Sequence, residues 1–169
     1  MKKSLFLLLS LFWVGSLLAQ KYAIIDTRYI LDKMPSYKEA QQQLDSIAAD
    51  WQKEIDGKQA KLDKMYRDYE AEQVMLTEEL RKKREDQLYG LEKEVRDLQR
   101  KRFGFEGDLF KKRQELIKPI QDKVFNAVQK LSVSRGYELV FDKSEGITII
   151  FADPKLDKSE DVLKELGVR

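Results

Sequence analysis

The apolar residues of the central segment recur in alternating steps of three and four, along one stretch of chain and then along a second. The first stretch carries Tyr37, Leu44, Ala48, Trp51, Ile55, Leu62, Met65 and Tyr69, and the second carries Leu88, Leu91, Val95, Leu98, Phe105, Leu109 and Leu116. An average step of 3.5 residues keeps one narrow apolar seam in register between two helices that coil around each other. The spacing therefore predicts a long antiparallel coiled-coil hairpin instead of a compact core.

Polar residues at the ends of these stretches predict where each helix begins. Ser36 with Glu39 has the spacing of a capping box, so the first helix is expected over about 37–74. Thr77 precedes two glutamates, which predicts a second N-terminus and places the hairpin tip near 74–77. The alternative tip at Tyr89 and Gly90 is less favourable, because the residues around it already keep the seam in register.

The second helix is expected over about 78–134, with interruptions. Gly104, Gly107 and Pro119 weaken or bend it, because glycine and proline are the poorest residues in a helix interior. Charged side chains also occupy seam positions at which the heptad spacing predicts apolar residues. They either extend from a partly open seam into solvent or lower the local stability so that the arm is flexible. These seam charges are Lys58, Arg102 and Lys112.

The two ends of the chain have β-favouring patterns. Residues 22–26 form a short strand-like run, and residues 137–142 and 147–152 are expected to form a hairpin around a turn at Gly146. Asp157 or Ser159 is expected to cap a last short helix. The strands leave edges that one chain cannot close, so we expect oligomerisation through them. The proposed oligomerisation residues are Ile24, Ile25, Leu139, Phe141, Ile147 and Ile149.

The organisation that follows has three parts. Residues 1–19 combine Lys2 and Lys3 with an apolar run and small residues before Ala19, which predicts a signal peptide cleaved near Ala19 and an exported protein. An uncleaved anchor is the alternative, although the run is short for a membrane span. Residues 36–135 form the hairpin arm. Residues 20–35 and 136–169 form a β-rich oligomerisation body.

The composition excludes several classes of chemistry. The chain has no cysteine and no histidine, so it has no disulfide, no thiol nucleophile and no histidine base or metal ligand. Carboxylates could still act in catalysis, but the usual catalytic residues are missing, and we expect no enzyme, no cofactor and no metal site; an enzyme is kept as a third alternative. Lys and Arg number 32 and Asp and Glu 30, and loss of Lys2 and Lys3 with the leader makes the two signs equal. This interspersed charge is typical of solvated helix faces and does not indicate a nucleic-acid partner.

A second apolar stripe lies beside the seam and suggests a surface for a partner. Its members recur at multiples of seven: Tyr89, Phe103, Phe110, Ile117 and Val124. Near the base, Ile117 and Val124 are expected to pack against a neighbouring subunit. Further out, Tyr89, Phe103 and Phe110 are expected to face a shared cavity and contact a bound chain. Met75 and Leu76 at the tip are added as further contact candidates.

Both termini carry motifs that resemble one family. Residues 22–31 (YAIIDTRYIL), followed by Pro35 and YKEA at 37–40, look like the amino-terminal strand and turn of the Skp (OmpH) periplasmic chaperones. RGYELVFD at 135–142, ADPKLD at 152–157 and DVLK at 161–164 are similar to their carboxy-terminal segment. The resemblance covers the chain after the leader and is specific at its ends, whereas the arms match only in periodicity.

The resemblance implies a mostly helical α+β fold in which a helical hairpin arm projects from a small β-barrel body completed by trimerisation. It implies a periplasmic, ATP-independent holdase that binds unfolded outer-membrane proteins between three arms and serves outer membrane protein assembly. A structural coiled-coil spacer or adaptor of the cell envelope is the alternative.

Basic clusters along the arm are candidates for contact with acidic groups. The tip cluster consists of Arg81, Lys82, Lys83 and Arg84. It is either a solvated helix face or a transient contact for an anionic membrane surface or an acidic client segment. Similar clusters occur at 100–102 and 111–113.

Overall fold

A computed structural model of the protein describes residues 21–144, 146 and 148–168. The predicted leader lies outside these residues. The elements in chain order are β1 (Tyr22–Ile25), α1 (Thr27–Lys33), α2 (Pro35–Glu72), α3 (Glu78–Phe103), α4 (Asp108–Arg135), β2 (Leu139–Asp142), a 3-10 helix (Pro154–Leu156) and α5 (Ser159–Glu165). No helix in the described ranges is both long and apolar enough to cross a membrane.

The described chain divides into two compact units. One, the hairpin unit, contains residues 31–123, and the other, the strand unit, contains residues 21–30 together with those from 124 onward. The mainly helical composition with a small sheet agrees with the predicted class.

The hairpin unit is built on the packing of α2 against α3. The residues that α2 buries are Ala40, Leu44, Ile55 and Leu62, and those that α3 buries are Leu88 and Val95. All of them except Ala40 belong to the predicted seam, and their spacing along each helix is the one that a heptad seam requires. The predicted seam is therefore confirmed through the middle of the hairpin.

Residues 73–77 connect α2 to α3, and the predicted tip at 74–77 falls within this connection. Thr77 is the N-cap of α3, and its side-chain oxygen accepts a hydrogen bond from the backbone N–H of Leu80 at 3.4 Å. Glu78 and Glu79 lie in the first turn, where their charge complements the helix dipole.

The predicted capping box at Ser36 and Glu39 is wrong. The helix α2 begins at Pro35, its N-cap is Met34 in an extended conformation, and no side chain caps it. Proline suits the first helical position, because its missing N–H has no partner there and its φ is already helical. The proline therefore sets the start of α2, and Ser36 lies inside the first turn.

The second half of the hairpin is two helices. Residues 104–107 separate α3 from α4, whereas Pro119 lies within α4 without ending it. The predicted seam position Phe105 is wrong, since its side chain is 98% exposed in this break. The helical period cannot be extrapolated across residues that leave the helix.

The strand unit contains a two-stranded parallel sheet of β1 and β2. Tyr22 lies opposite Leu139 and Ile25 opposite Asp142, and the three β1 residues from Ala23 to Ile25 are buried. Gly136, at a φ of 69°, follows the end of α4, where glycine accepts a left-handed conformation at little cost.

The predicted hairpin of 137–142 with 147–152 is wrong for the single chain. Residues 148–152 form no strand, and Ile147 lies outside the described residues. The strand β2 pairs with β1 instead, and the other side of β1 forms a bridge between Ile24 and Asp157. Ile24 is therefore paired on both sides, and residues 148–152 add no strand to this sheet.

Candidate functional site

Large apolar side chains are exposed at several of the predicted contact positions of the hairpin unit. Met75 is 81% exposed, Tyr89 is 64% exposed and Phe110 is 46% exposed. Leu76, beside Met75, is half-buried. Exposed Met, Tyr and Phe side chains can bury apolar area against a partner, and Met adapts its shape to different surfaces.

Phe103 differs from its neighbours on the predicted stripe because it packs inside the hairpin unit. Its ring lies edge-on to the Trp51 ring, with 6.5 Å between centroids and an interplanar angle of 79°. This edge-to-face geometry is favourable between aromatic rings. Phe103 is half-buried, so it contributes less surface to a partner than Tyr89 or Phe110.

The two stripe residues assigned to the base, Ile117 and Val124, are buried within the single chain. They therefore need no neighbouring subunit to be covered. Ile117 also lies with Phe110 in an open groove of 280 Å³ on α4, flanked by Arg113 and Lys118. An exposed ring, an apolar floor and flanking cations give this groove mixed apolar and electropositive character.

The basic tip cluster is exposed at the start of α3, and part of it stabilises the tip itself. A guanidinium nitrogen of Arg84 lies 3.7 Å from a carboxylate oxygen of Glu72, across the tip. Arg81 donates a hydrogen bond to the backbone carbonyl of Gln73 at 3.4 Å. Lys82 and Lys83 form no ion pair within the described ranges, so they remain candidates for contact with an anionic group.

The break between α3 and α4 carries a cluster that the seam pattern did not anticipate. The Arg102 guanidinium lies 2.8 Å from Asp108, 3.3 Å from Glu54 and 4.7 Å from the centre of the Trp51 ring. The predicted seam charge is therefore fixed by two carboxylates and a cation–π contact. The two glycines at 104 and 107 were the sequence signal that the helix ends there.

The proposed oligomerisation residues fall into two groups. Ile24 and Ile25 are 7% and 6% exposed, so they form the core of their own strand unit. Leu139 is 54% exposed and Phe141 36% exposed, although the Phe141 ring lies near the Tyr22 ring. Ile149 is half-buried. The exposed residues of β2 are the ones available to another chain.

Carboxylates in the strand unit hold loops together. Asp142 accepts hydrogen bonds from the backbone N–H of Thr27 at 3.1 Å and from that of Ser144 at 2.9 Å. Partial burial raises the pKa of Asp142, but the hydrogen bonds from Thr27 and Ser144 outweigh it and leave the pKa below its ordinary value. No group of acidic residues in the described part of the chain could hold a metal ion.

Asp157 has a related role at the start of α5. One of its oxygens lies 2.7 Å from the Lys143 ammonium, and the other accepts the backbone N–H of Ser159 at 2.9 Å. The N-cap residue itself is Lys158, which makes no side-chain cap. The Ser159 hydroxyl instead accepts the backbone N–H of Asp26 at 2.9 Å and is buried. These bonds link β1 to α5 and indicate a structural role.

Comparison with known proteins gives one family and one fold. The family model described as outer membrane protein (OmpH-like) matches residues 21–166. A crystal structure from Caulobacter crescentus CB15, of a protein described as a candidate OmpH-like outer membrane chaperone, superposes with a TM-score of 0.70. The two sequences are 13% identical, and the match covers 87% of this chain and 83% of the other. No curated protein matches the sequence significantly.

Proposed function

Since the chain belongs to the OmpH-like outer membrane protein family, we propose that it is an ATP-independent periplasmic holdase chaperone. Its clients are unfolded outer-membrane β-barrel proteins, which it keeps from aggregating on the way to the outer membrane. The observation that carries the proposal is the exposure of large apolar side chains on a hairpin whose central seam is formed by other residues. Met75, Tyr89 and Phe110 add nothing to that seam but offer surface to a client.

The physical chemistry of such clients fits this surface. Strands of an outer-membrane barrel alternate apolar and polar residues, and in water they pair with one another and aggregate. Separate exposed rings on a largely charged hairpin give many weak contacts instead of one tight site. Such contacts cover apolar segments without imposing one structure on the client.

We further propose that three copies assemble through the strand unit and complete a small β-barrel. The support is the exposed apolar segment at 148–152, where Ile150 is 96% exposed and Phe151 is 85% exposed. A β-favouring segment left unpaired in one chain is a template for pairing with another. In this assembly the three helical hairpins enclose the cavity that receives the client.

The second candidate is a structural spacer of the envelope. The uninterrupted length of α2 favours it, because a helix of 38 residues extends about 57 Å. A spacer, however, needs polar outer faces, so this candidate function does not explain the exposed apolar residues of the hairpin.

Sedimentation velocity separates the two candidates. Residues 20–169 are mixed with a β-barrel membrane protein freshly diluted from urea. A holdase keeps the client in solution and sediments with it at a fixed ratio, as a trimer. A client that pellets while the protein sediments alone would favour the spacer.

A double substitution, Tyr89→Ser with Phe110→Ser, tests the contact surface. Because both rings are exposed, we expect the oligomer and the melting temperature to be unchanged. We expect the amount of client that the variant keeps in solution to fall severalfold, since aromatic residues dominate the binding energy at protein interfaces. The matched control is Tyr89→Phe with Phe110→Leu, which keeps the apolar area and is expected to hold the client. Equal holding by both double variants would show that these rings are not contacts.

A further inference from the structure

The break between α3 and α4 presents an aromatic ring that folding does not use. Phe105, at 98% exposure, is the most exposed large apolar residue in the described ranges. Burial of apolar surface is the main driving force for association in water. A fully exposed ring retains all of this potential for a partner.

The backbone around Phe105 is held in one conformation. A Cβ on Gly104 would lie 2.3 Å from the Arg100 carbonyl oxygen, and one on Gly107 would lie 2.8 Å from that of Lys101. Between them, Glu106 has a φ of 53°, in the left-handed region that non-glycine residues rarely adopt. The turn is therefore tightly constrained at each residue that surrounds the exposed ring.

Arg102 stabilises this turn through ion pairs with two other helices. It connects the end of α3 to Asp108 at the start of α4, and it reaches Glu54 on α2. Its guanidinium also lies over Trp51, against which Phe103 packs. Phe103 and Phe105 flank Gly104, yet one ring is held inward and the other outward.

The charges close to Phe105 in sequence indicate what kind of partner fits. The stretch 100–113 contains six basic and two acidic residues. Arg102 is neutralised by its two carboxylates and Lys112 lies 2.7 Å from Glu115. The other basic residues are exposed and form no ion pair in the part of the chain that is described: Arg100, Lys101, Lys111 and Arg113. An exposed apolar ring in a stretch of chain rich in unpaired cations is complementary to a segment that carries apolar side chains next to carboxylates.

We propose that Phe105 anchors an extended polypeptide segment in which apolar side chains alternate with carboxylates, and that Arg102 is the residue that positions Phe105. The proposal rests on the holdase function and adds to it a defined contact at one turn of each chain. Phe105 contacts the segment directly, and Arg102 acts by keeping the turn closed.

Fluorescence anisotropy with two labelled synthetic peptides tests the anchor. One peptide alternates Phe with Glu, and the other alternates Phe with Lys. We expect residues 20–169 to bind the acidic peptide more tightly, and Phe105→Ser to weaken that binding about tenfold, as loss of a well-placed aromatic contact does. Phe105→Leu, which keeps an apolar side chain, is the matched control and retains most of the affinity.

A second readout isolates the role of Arg102. Trp51 is the only tryptophan after residue 19, so its emission reports on the cluster directly. We expect Arg102→Met to shift that emission and to weaken binding of the acidic peptide, with helical content unchanged by circular dichroism. Phe105→Ser is expected to weaken binding without shifting the emission. If Arg102→Met shifts the emission but binds as the parent does, the positioning role is wrong.

The outcomes separate this inference from the proposed function. If the parent protein holds a client and Phe105→Ser binds the acidic peptide equally well, the anchor is overturned and the holdase remains. If the parent prefers the basic peptide or neither, the proposed partner chemistry is wrong. If Phe105→Ser changes only self-association, the ring contacts a second copy of the chain and the proposal fails. A parent that holds no client overturns the proposed function itself.

Discussion

At the scale of single residues, the strand unit depends on two carboxylates that are needed in their charged form. Asp142 and Asp157 both have a pKa below the ordinary value of 3.8. For each carboxyl, partial burial raises the pKa, but hydrogen bonds lower it by more than burial raises it. The hydrogen bonds come from Thr27 and Ser144 for Asp142, and from Lys143 and Ser159 for Asp157. Because the pKa is lowered in the folded state, each carboxylate contributes to the free energy of unfolding. That contribution is fully present above about pH 4 and is lost as the pH falls through the folded-state pKa.

The substitution Asp142→Asn tests this dependence. We expect the variant to be less stable by about 1–2 kcal/mol at pH 7, because it loses the charge on an acceptor of two backbone hydrogen bonds. The difference in melting temperature between parent and variant should begin to shrink below about pH 4, where the carboxyl of the unfolded chain becomes protonated, and should shrink further as the pH falls through the lowered folded-state pKa. Thermal melts by circular dichroism between pH 2.5 and 7 measure it. Asp50→Asn, on an exposed part of α2, is the control, and a difference that stays constant to pH 2.5 would contradict the charged role.

At the scale of secondary-structure elements, the glycines of the hairpin unit fall into two kinds. A Cβ added at Gly57 in α2 or at Gly90 in α3 meets nothing within 4 Å. A Cβ at Gly104 or Gly107 meets backbone oxygens at distances that side chains do not tolerate. The first kind only weakens a helix, whereas the second kind permits the α3–α4 turn.

Alanine substitutions at the two kinds of glycine are therefore expected to change the free energy of unfolding in opposite directions. Gly57→Ala should stabilise the protein by about 0.5–1 kcal/mol, because alanine restricts the unfolded chain and suits a helix interior. Gly104→Ala should destabilise it by about 1–3 kcal/mol, because the turn must shift to admit the methyl group. Urea denaturation followed at 222 nm compares the two, with Gly90→Ala as a second control. A stabilised Gly104→Ala variant would mean that the turn is not closely packed.

At the scale of the whole molecule, the proposed trimer depends on apolar residues that one chain leaves in water. Ile150 and Phe151 are the most exposed of these in the strand unit, and Leu139 on β2 is more than half exposed. Exposed β-favouring segments of this kind favour association and make an isolated chain prone to aggregation.

We expect Ile150→Ser with Phe151→Ser to convert the proposed trimer to a monomer and to abolish client holding, because the proposed cavity requires several chains. Since both side chains are almost fully exposed in the single chain, helical content should be retained. Analytical ultracentrifugation gives the mass, and circular dichroism gives the helical content. The control is Val133→Ser, at a position that is 80% exposed on α4, and it should leave the mass unchanged. A double variant that remains trimeric would place the interface elsewhere.

Sequence reasoning succeeded where a local pattern decides the structure. The buried seam residues Leu44, Ile55 and Leu62 on α2 and Leu88 and Val95 on α3 follow from periodicity alone, since the heptad spacing requires a facing helix. Thr77 likewise marks the start of a helix through its own chemistry, as an N-cap. The family was also evident from motifs at the two ends of the chain.

Contacts between residues distant in sequence could not be predicted in this way. No local signal specifies that β2 pairs in parallel with β1, or that Asp157 occupies the other side of β1. The position of Phe105 also depends on how Arg102 reaches Glu54 and Trp51 on another helix. By itself the sequence determined the helical hairpin, its seam and its tip, because these depend on spacing within a helix. Only the tertiary structure decided the strand pairing and the exposed ring at the break, because these depend on which backbone groups and charges meet across the fold.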